Sequence, residues 1–340
     1  MSRGTWHLIG FAVALALALV LPLIMYPVLA LDILAWALFA VAIDLLLGFL
    51  GLLSFGQAMF WGTAGYVAGL TAKAVNLGWP FAVLVGTLAA LLLAVPIGYL
   101  AIRRKGIYFA MVTLAFAQMI FYVVNEWRPV TGGENGLQGI PRLFPGVASL
   151  SNPVVFYYAA LPIALLGFWF AYRVVHSPFG HVLVAIRDNE ARAQALGYPT
   201  ARYKLLAFVI SAGLAGLGGA LYSLGHGFAA LELVHWTTSG TAVLMTILGG
   251  IGTLWGPIVG AALVLLLRDA LSTGAVFPVL RESPGVVTGL IFILSVLAFR
   301  RGIWGTALWL LRKRAPRPAV PQAPPPEPET PGEPASVARG

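Results

Sequence analysis

The chain has 340 residues, of which 59% are hydrophobic and only 10% charged; its formal net charge is +9 and it contains no cysteine. Soluble domains carry roughly 25% charged residues, so a water-soluble globule is excluded and an all-α integral membrane bundle is expected, because a bilayer lets apolar side chains cover the outside as well as the core. The missing cysteines exclude a disulfide framework and thiol chemistry, and the positive charge gathers in short stretches between apolar runs, as membrane orientation requires, instead of forming a nucleic-acid patch.

A membrane-spanning helix needs about 20 apolar residues. The short basic start Met1–His7 leads into Leu8–Tyr26, expected to be an uncleaved first span because no small-residue cleavage site follows it. Further spans are predicted at Leu29–Leu50, Leu52–Thr71, Pro80–Ile102, Ile107–Val124, Pro153–Val175 and Lys204–Leu224. Thr241–Leu267 comes next, interrupted in its middle, and Gly285–Phe299 is the last.

Charge bias then sets orientation. Arg103, Arg104 and Lys105 form one basic turn, Arg173 to Lys204 a second, and Arg300, Arg301, Arg312, Lys313, Arg314 and Arg317 a third; all three are expected in the cytoplasm. The loop Asn125–Asn152 has balanced charge and is expected outside. Parity tests Thr241–Leu267. A single crossing there would leave Arg300 outside. A re-entrant pair of half-helices brings it inside, and Gly249, Gly250, Gly252, Gly256 and Pro257 weaken the middle of that segment. The expectation is a polytopic bundle of about eight full spans plus a broken segment, two short full spans being the alternative. Both termini are then cytoplasmic. Residues 1–314 form the membrane domain. Residues 315–340, rich in proline (Pro324-Pro325-Pro326-Glu327-Pro328), read as a disordered cytoplasmic tail.

No phosphate loop of the G-x-x-x-x-G-K-[ST] type occurs, so any ATP must be bound by another chain, and no cofactor of this chain's own is expected. Glu232 and His235 have a metal-like i, i+3 spacing but no second pair, and they read as a solvated loop. No catalytic or metal site is predicted.

Intramembrane polar groups carry more information. Asp44 sits within Val41-Ala42-Ile43-Asp44-Leu45-Leu46-Leu47, where an acidic side chain costs about 2.5–3.5 kcal/mol on insertion scales and must face the bundle interior. It reads either as a pathway residue or as a structural contact between helices. Asp32, nearer an interface, reads as structural. Ser54 and Gln57 open the third span beside a break, with Trp61 and the small residues Gly62, Ala64, Gly65 and Gly69 after them. The glycine-rich stretch Gly249–Trp255 is a second interruption. Two interrupted segments, one in each half of a chain, point to a transporter's central pathway. The outer loop Thr131-Gly132-Gly133-Glu134-Asn135-Gly136-Leu137 reads first as a plain loop and second as a partner surface.

Residues 177–204 are the most informative polar segment. A helix is predicted over His181–Leu196, stopped by Gly197 and Pro199, with an apolar patch (Val182, Leu183, Ala185, Ile186) and an Asp188–Arg192 pair at i, i+4. It suits docking into a groove on another protein, or lying on the membrane surface.

Five stretches together resemble the permease subunits of branched-chain amino acid ABC transporters. They are Gly51-Leu52-Leu53-Ser54-Phe55-Gly56-Gln57, the run Gly106 to Gln118 (GIYFAMVTLAFAQ), Thr131-Gly132-Gly133 to Pro141, Ala185-Ile186-Arg187-Asp188-Asn189-Glu190, and Gly249-Gly250-Ile251-Gly252-Thr253-Leu254-Trp255-Gly256-Pro257. The resemblance implies an inner-membrane permease that pairs with a homologous second permease, two cytoplasmic ATPase subunits that hold the ATP, and an external solute-binding protein. It implies a pathway along Asp44, Ser54, Gln57, Trp61, Tyr108, Thr113, Gln118, Gly249, Gly250 and Gly252, and ATPase docking at Ala185, Ile186, Arg187, Asp188, Asn189 and Glu190. Asp44 stands where the family often has Asn, and Gln57 where it often has His. Urea, amides or other amino acids are therefore alternative cargoes, and a secondary transporter coupled to ions through Asp44 is the alternative mechanism.

Overall fold

The computed structural model describes residues 15–16, 18–75, 77–142, 150, 152–272, 289 and 302–306. The start of the first predicted span, nearly all of Gly285–Phe299, and the tail 315–340 lie outside the described residues. Residues 18–24 are helical, and the hydroxyls of Tyr157 and Tyr158 donate to the carbonyls of Ala18 (2.6 Å) and Leu19 (3.0 Å).

Helix α1 (Pro27–Asp44) opens on a proline in its first turn, where the missing N–H costs nothing, and runs on as a π-helical segment, Leu45–Leu50, that ends at Gly51 with φ 77°. It is apolar on every face and is buried on every face, which makes it the axis of the bundle. Helix α2 (Gln57–Ala74) begins five residues after the expected Leu52, because left-handed Gly51 stops the preceding helix and Leu52–Gly56 run as a non-helical link. Helices α3 (Trp79–Ala101), α4 (Ile107–Glu126) and α6 (Pro153–Val175) are long enough to span and pack around the outside; the short α5 (Arg128–Thr131) lies in the loop between α4 and α6. On α3, Leu84, Leu88, Leu92, Val95 and Tyr99 are exposed at helical spacing, a stripe suited to lipid.

The predicted helix His181–Leu196 is two helices, α7 (Pro178–Asp188) and α8 (Glu190–Ala195). Asn189 is extended between them, and its side-chain oxygen accepts from the Arg192 N–H at 2.9 Å, capping α8. The break turns Asp188 away from Arg192, and Asp188 pairs with Arg187 at 3.2 Å.

Helix α9 (Thr200–His226) crosses α1 and α2 on a glycine-rich face. A methyl group at Gly219 would overlap the Trp61 carbonyl oxygen, and one at Gly218 would stand 2.8 Å from the Ala35 carbonyl oxygen. Such close backbone approach is how small residues hold membrane helices together where water supplies no drive. Trp36, Phe39, Trp61 and Tyr222 fill the space between, with the Phe39 and Trp61 rings stacked at 4.7 Å.

Helices α10 (Trp236–Gly249) and α11 (Trp255–Ser272) form an antiparallel hairpin. Gly249 lies against Gly256 and Gly260, and Gly260 against the Met245 carbonyl. The ends far from the turn are anchored alike: the His235 ring packs on Phe121 at 5.0 Å, and the Tyr26 hydroxyl donates to Asp269. The interrupted segment thus turns back on itself, an arrangement that a re-entrant pair and two short full spans share. Gly302 packs against Gly249 and Gly250, which brings the chain after the last predicted span to the same end of the bundle as Lys105, Arg187 and Lys204.

At the opposite end, residues 127–142 are ordered. Leu137 and Ala229 exchange backbone hydrogen bonds at 2.9 Å, and Ile140 N–H donates to the Gly227 carbonyl at 2.8 Å. The Arg142 side chain donates to the Leu224 carbonyl at 3.0 Å and to the Gly225 carbonyl, closing the C-terminal end of α9.

Candidate functional site: two interrupted segments and a helix pair

Both interruptions meet at Asp44. Its carboxylate is buried at 1% exposure and accepts from the Gly252 N–H at 2.7 Å and the Leu254 N–H at 3.3 Å. Leu254 has φ 59°, a left-handed backbone that costs an L-residue about 1–2 kcal/mol. A buried acid with two N–H donors offsets that cost and also satisfies the desolvated carboxylate. Gly48 must be glycine here: a methyl group would overlap the Asp44 carboxylate and stand 2.5 Å from Gly252 N.

The Gly48 carbonyl lies in the last turn of the π-helical segment, where carbonyls lack intrahelical partners. Arg187 of α7 supplies one from outside, donating from Nη1 at 2.5 Å. The carbonyl end of a helix favours a cation. Asp44 and Gly252, assigned from the resemblance to the pathway, and Arg187, assigned to docking, therefore meet in one cluster. Gly48 and Leu254 complete it; Leu254 lies in the glycine-rich motif without a role of its own, and no sequence pattern had marked Gly48.

Ser54, Gln57 and Thr113 form a second group at the start of α2. Ser54 Oγ accepts from Gly56 N–H at 3.3 Å, and a methyl group at Gly56 would lie 2.6 Å from the Thr113 carbonyl oxygen. Ser239 of α10 caps α2 from across the bundle, accepting from Ala58 N–H at 2.7 Å. Gln57 is fully buried with neither amide atom bonded to a protein group, and the Trp61 indole N–H, the Thr63 hydroxyl and the Tyr66 hydroxyl on the same helix are likewise unpaired. Each buried unmet group costs about 1–3 kcal/mol, so α2 carries a run of polar atoms that a polar solute or water would satisfy. Gln118 is half-buried with its side-chain oxygen unpaired, whereas Tyr108 is 68% exposed on the outer face of α4 and joins neither group. Gly249 and Gly250 lie in the hairpin turn itself.

On α7 and α8, Leu183, Ile186 and Ala193 are buried against the bundle, while Ala185, Arg187, Asp188, Asn189, Ala191, Arg192 and Leu196 are exposed. Glu190 is the anchor of this pair. Its carboxylate is bonded to Lys204 at 2.5 Å, Lys105 at 2.8 Å and the Thr200 hydroxyl at 3.3 Å. Burial pushes the Glu190 carboxyl up, but hydrogen bonds and charge from Lys105 and Lys204 outweigh it and hold the group below its ordinary value. Stability from this contact is therefore full above about pH 4.3, the ordinary value for glutamate, and is lost as pH falls through the lowered value. Glu190→Gln should lower the melting temperature in detergent at pH 7 by about 2–4 °C, because Lys204 is left buried with a neutral partner. The gap to wild type should close on acidification; a constant gap down to pH 3 would refute the assignment.

A bundle whose two interrupted segments converge on a buried acid, with an anchored amphipathic helix pair at one end, is a multi-pass membrane protein of the permease class. The chain belongs to the family described as branched-chain amino acid transport system / permease component, whose family model matches residues 25–296. It is 29% identical to the high-affinity branched-chain amino acid transport system permease protein LivM of Salmonella typhimurium, over 69% of this chain and 60% of that protein. The LivM protein of Escherichia coli is 28% identical over the same shares. The LivH permease of Escherichia coli is 25% identical over 79% of this chain and 91% of its own length. The chain thus matches about 60% of the length of its LivM relatives. No solved structure matches it.

Proposed function

We propose that this chain is the pathway-forming subunit of an ATP-driven importer of branched-chain amino acids in the bacterial inner membrane. It works with a homologous second permease, two cytoplasmic ATPase subunits and an external solute-binding protein. The observation that carries the reading is the α7–α8 pair: its inner face is fixed to the bundle through Leu183, Ile186 and Glu190, and its outer face, from Ala185 to Leu196, is open. A helix pair fixed to a bundle on one side and free on the other suits a partner that pushes on it. The polar run on α2 and the Asp44 cluster lie on the pathway, and transport proceeds by alternating access. The relatives named for branched-chain amino acid transport support the cargo.

The test is uptake of labelled leucine into vesicles holding the complete complex. Uptake should require ATP and the binding protein, and excess isoleucine or valine should compete where urea does not. Leucine uptake driven by a proton gradient without ATP would instead favour ion coupling through Asp44.

A further inference from the structure

Arg187 and Asp44 come from opposite sides of one contact. Arg187 holds the Gly48 carbonyl from α7, and Asp44, one helical turn before Gly48, holds the hairpin turn through the Gly252 and Leu254 N–H groups. A methyl group at Gly252 would stand 3.4 Å from the Gly48 oxygen and 3.8 Å from Arg187 Nη1, so the two holds share a single patch of backbone. The adjacent Glu190 is occupied by Lys105 and Lys204 and does not compete for Arg187, whose ion-pair partner among the described residues is exposed Asp188.

We infer that Arg187 and Asp44 are positioning residues of one relay, in which displacement of α7 pulls the Gly48 carbonyl and releases the 250–254 turn at that end of the pathway. Although its side chain is partly exposed, Arg187 then works through its bond to the Gly48 carbonyl inside the permease, and not as a contact for the ATPase. The inference rests on the importer reading for its driving force but not for its geometry. Three features suit a releasable joint. The π-helical segment is a rare helix form, Leu254 is held in a left-handed backbone, and charge-assisted hydrogen bonds from Arg187 and Asp44 link α7, the π-helical segment and the turn. Elements with two discrete arrangements of this kind are what carry a displacement between sites.

Two measurements test it. In the detergent-purified full chain, hydrogen exchange over residues 250–256 reports the Gly252 and Leu254 N–H groups directly. Asp44→Ala should speed exchange there by about tenfold or more, the loss expected for hydrogen bonds to a charged group. Arg187→Ala should speed it by a smaller factor, and Arg187→Lys should restore most of the protection. Asp44→Asn, which keeps one acceptor and folds more readily, should fall between Asp44→Ala and wild type. In the reconstituted complex, Arg187→Ala should leave ATPase co-purification unchanged while leucine taken up per ATP hydrolysed drops about tenfold. The Arg187→Ala, Asp44→Ala double variant should be no worse than the worse single one, because both act on one joint.

Loss of ATPase co-purification in Arg187→Ala would overturn the inference by making Arg187 a docking contact, as would unchanged exchange over 250–256 in that variant. Should the wild-type complex prove not to use ATP, the importer reading fails, and the exchange measurement still decides whether the joint exists.

Discussion

Gly249→Ala prevents the α10–α11 hairpin from closing. A methyl group there overlaps the Gly256 carbonyl oxygen and stands 3.0 Å from Gly260 N, and both neighbours are backbone, so neither can swing aside as a side chain would. Overpacking a well-packed core costs about 1–3 kcal/mol; backbone against backbone at a strained turn should reach the top of that range or beyond it, against about 5–15 kcal/mol of total stability. The expected result is a large fall in folded yield and in detergent melting temperature, with leucine uptake lost. Gly240→Ala, in the same helix, is the control. Nothing lies within 4 Å of a methyl group at that position, and its backbone is not left-handed. Alanine there should be neutral or stabilise by about 0.5–1 kcal/mol. Equal damage at both positions would show that the hairpin is not packed as described.

Gly219→Ala is expected to be nearly as severe, for a different reason. This glycine lies at the crossing of α9 and α2, where a methyl group overlaps the Trp61 carbonyl oxygen and stands 2.7 Å from its carbon. Making room means moving α2, and with it Trp61, which is fully buried among Trp36, Phe39 and Tyr222. The tryptophan fluorescence of folded protein should change and uptake should fall. A variant that transports normally with an unchanged spectrum would contradict the crossing.

Much of this architecture was legible in the sequence because spanning helices announce themselves by length and apolarity. Pro153–Val175 is placed as predicted, and Ile107–Glu126 differs from expectation by two residues at one end. The glycines at 249–256 gave away the hairpin, because a continuous helix there would be weak. The contacts that define the site were less accessible. Asp44 was recognisable as a residue that must face inward, yet its partners lie more than 200 residues away, and nothing local distinguishes an acid that binds a turn from one that meets a solute. Arg187 read as a docking residue because a charge on a short polar helix usually faces solvent; here the side chain stays partly exposed and also reaches back to a helix end. The break at Asn189 did carry a signal: Asn is a favoured N-cap, and Glu follows it into the first turn of α8. Ser239 carried none, since a serine that caps a helix from across a bundle looks like any other serine.

The account depends on α7 and α8 facing the cytoplasm, where a nucleotide-hydrolysing partner can reach them. Because the chain has no cysteine, a single Ala191→Cys substitution, on the exposed face of α8, reports that side without background. A membrane-impermeant maleimide should label it in inside-out vesicles and leave it unlabelled in intact spheroplasts, with co-expressed ATPase subunit slowing the reaction. Labelling of Cys-substituted position 191 in intact spheroplasts would put the helix pair on the outer face, and the proposed coupling could not operate.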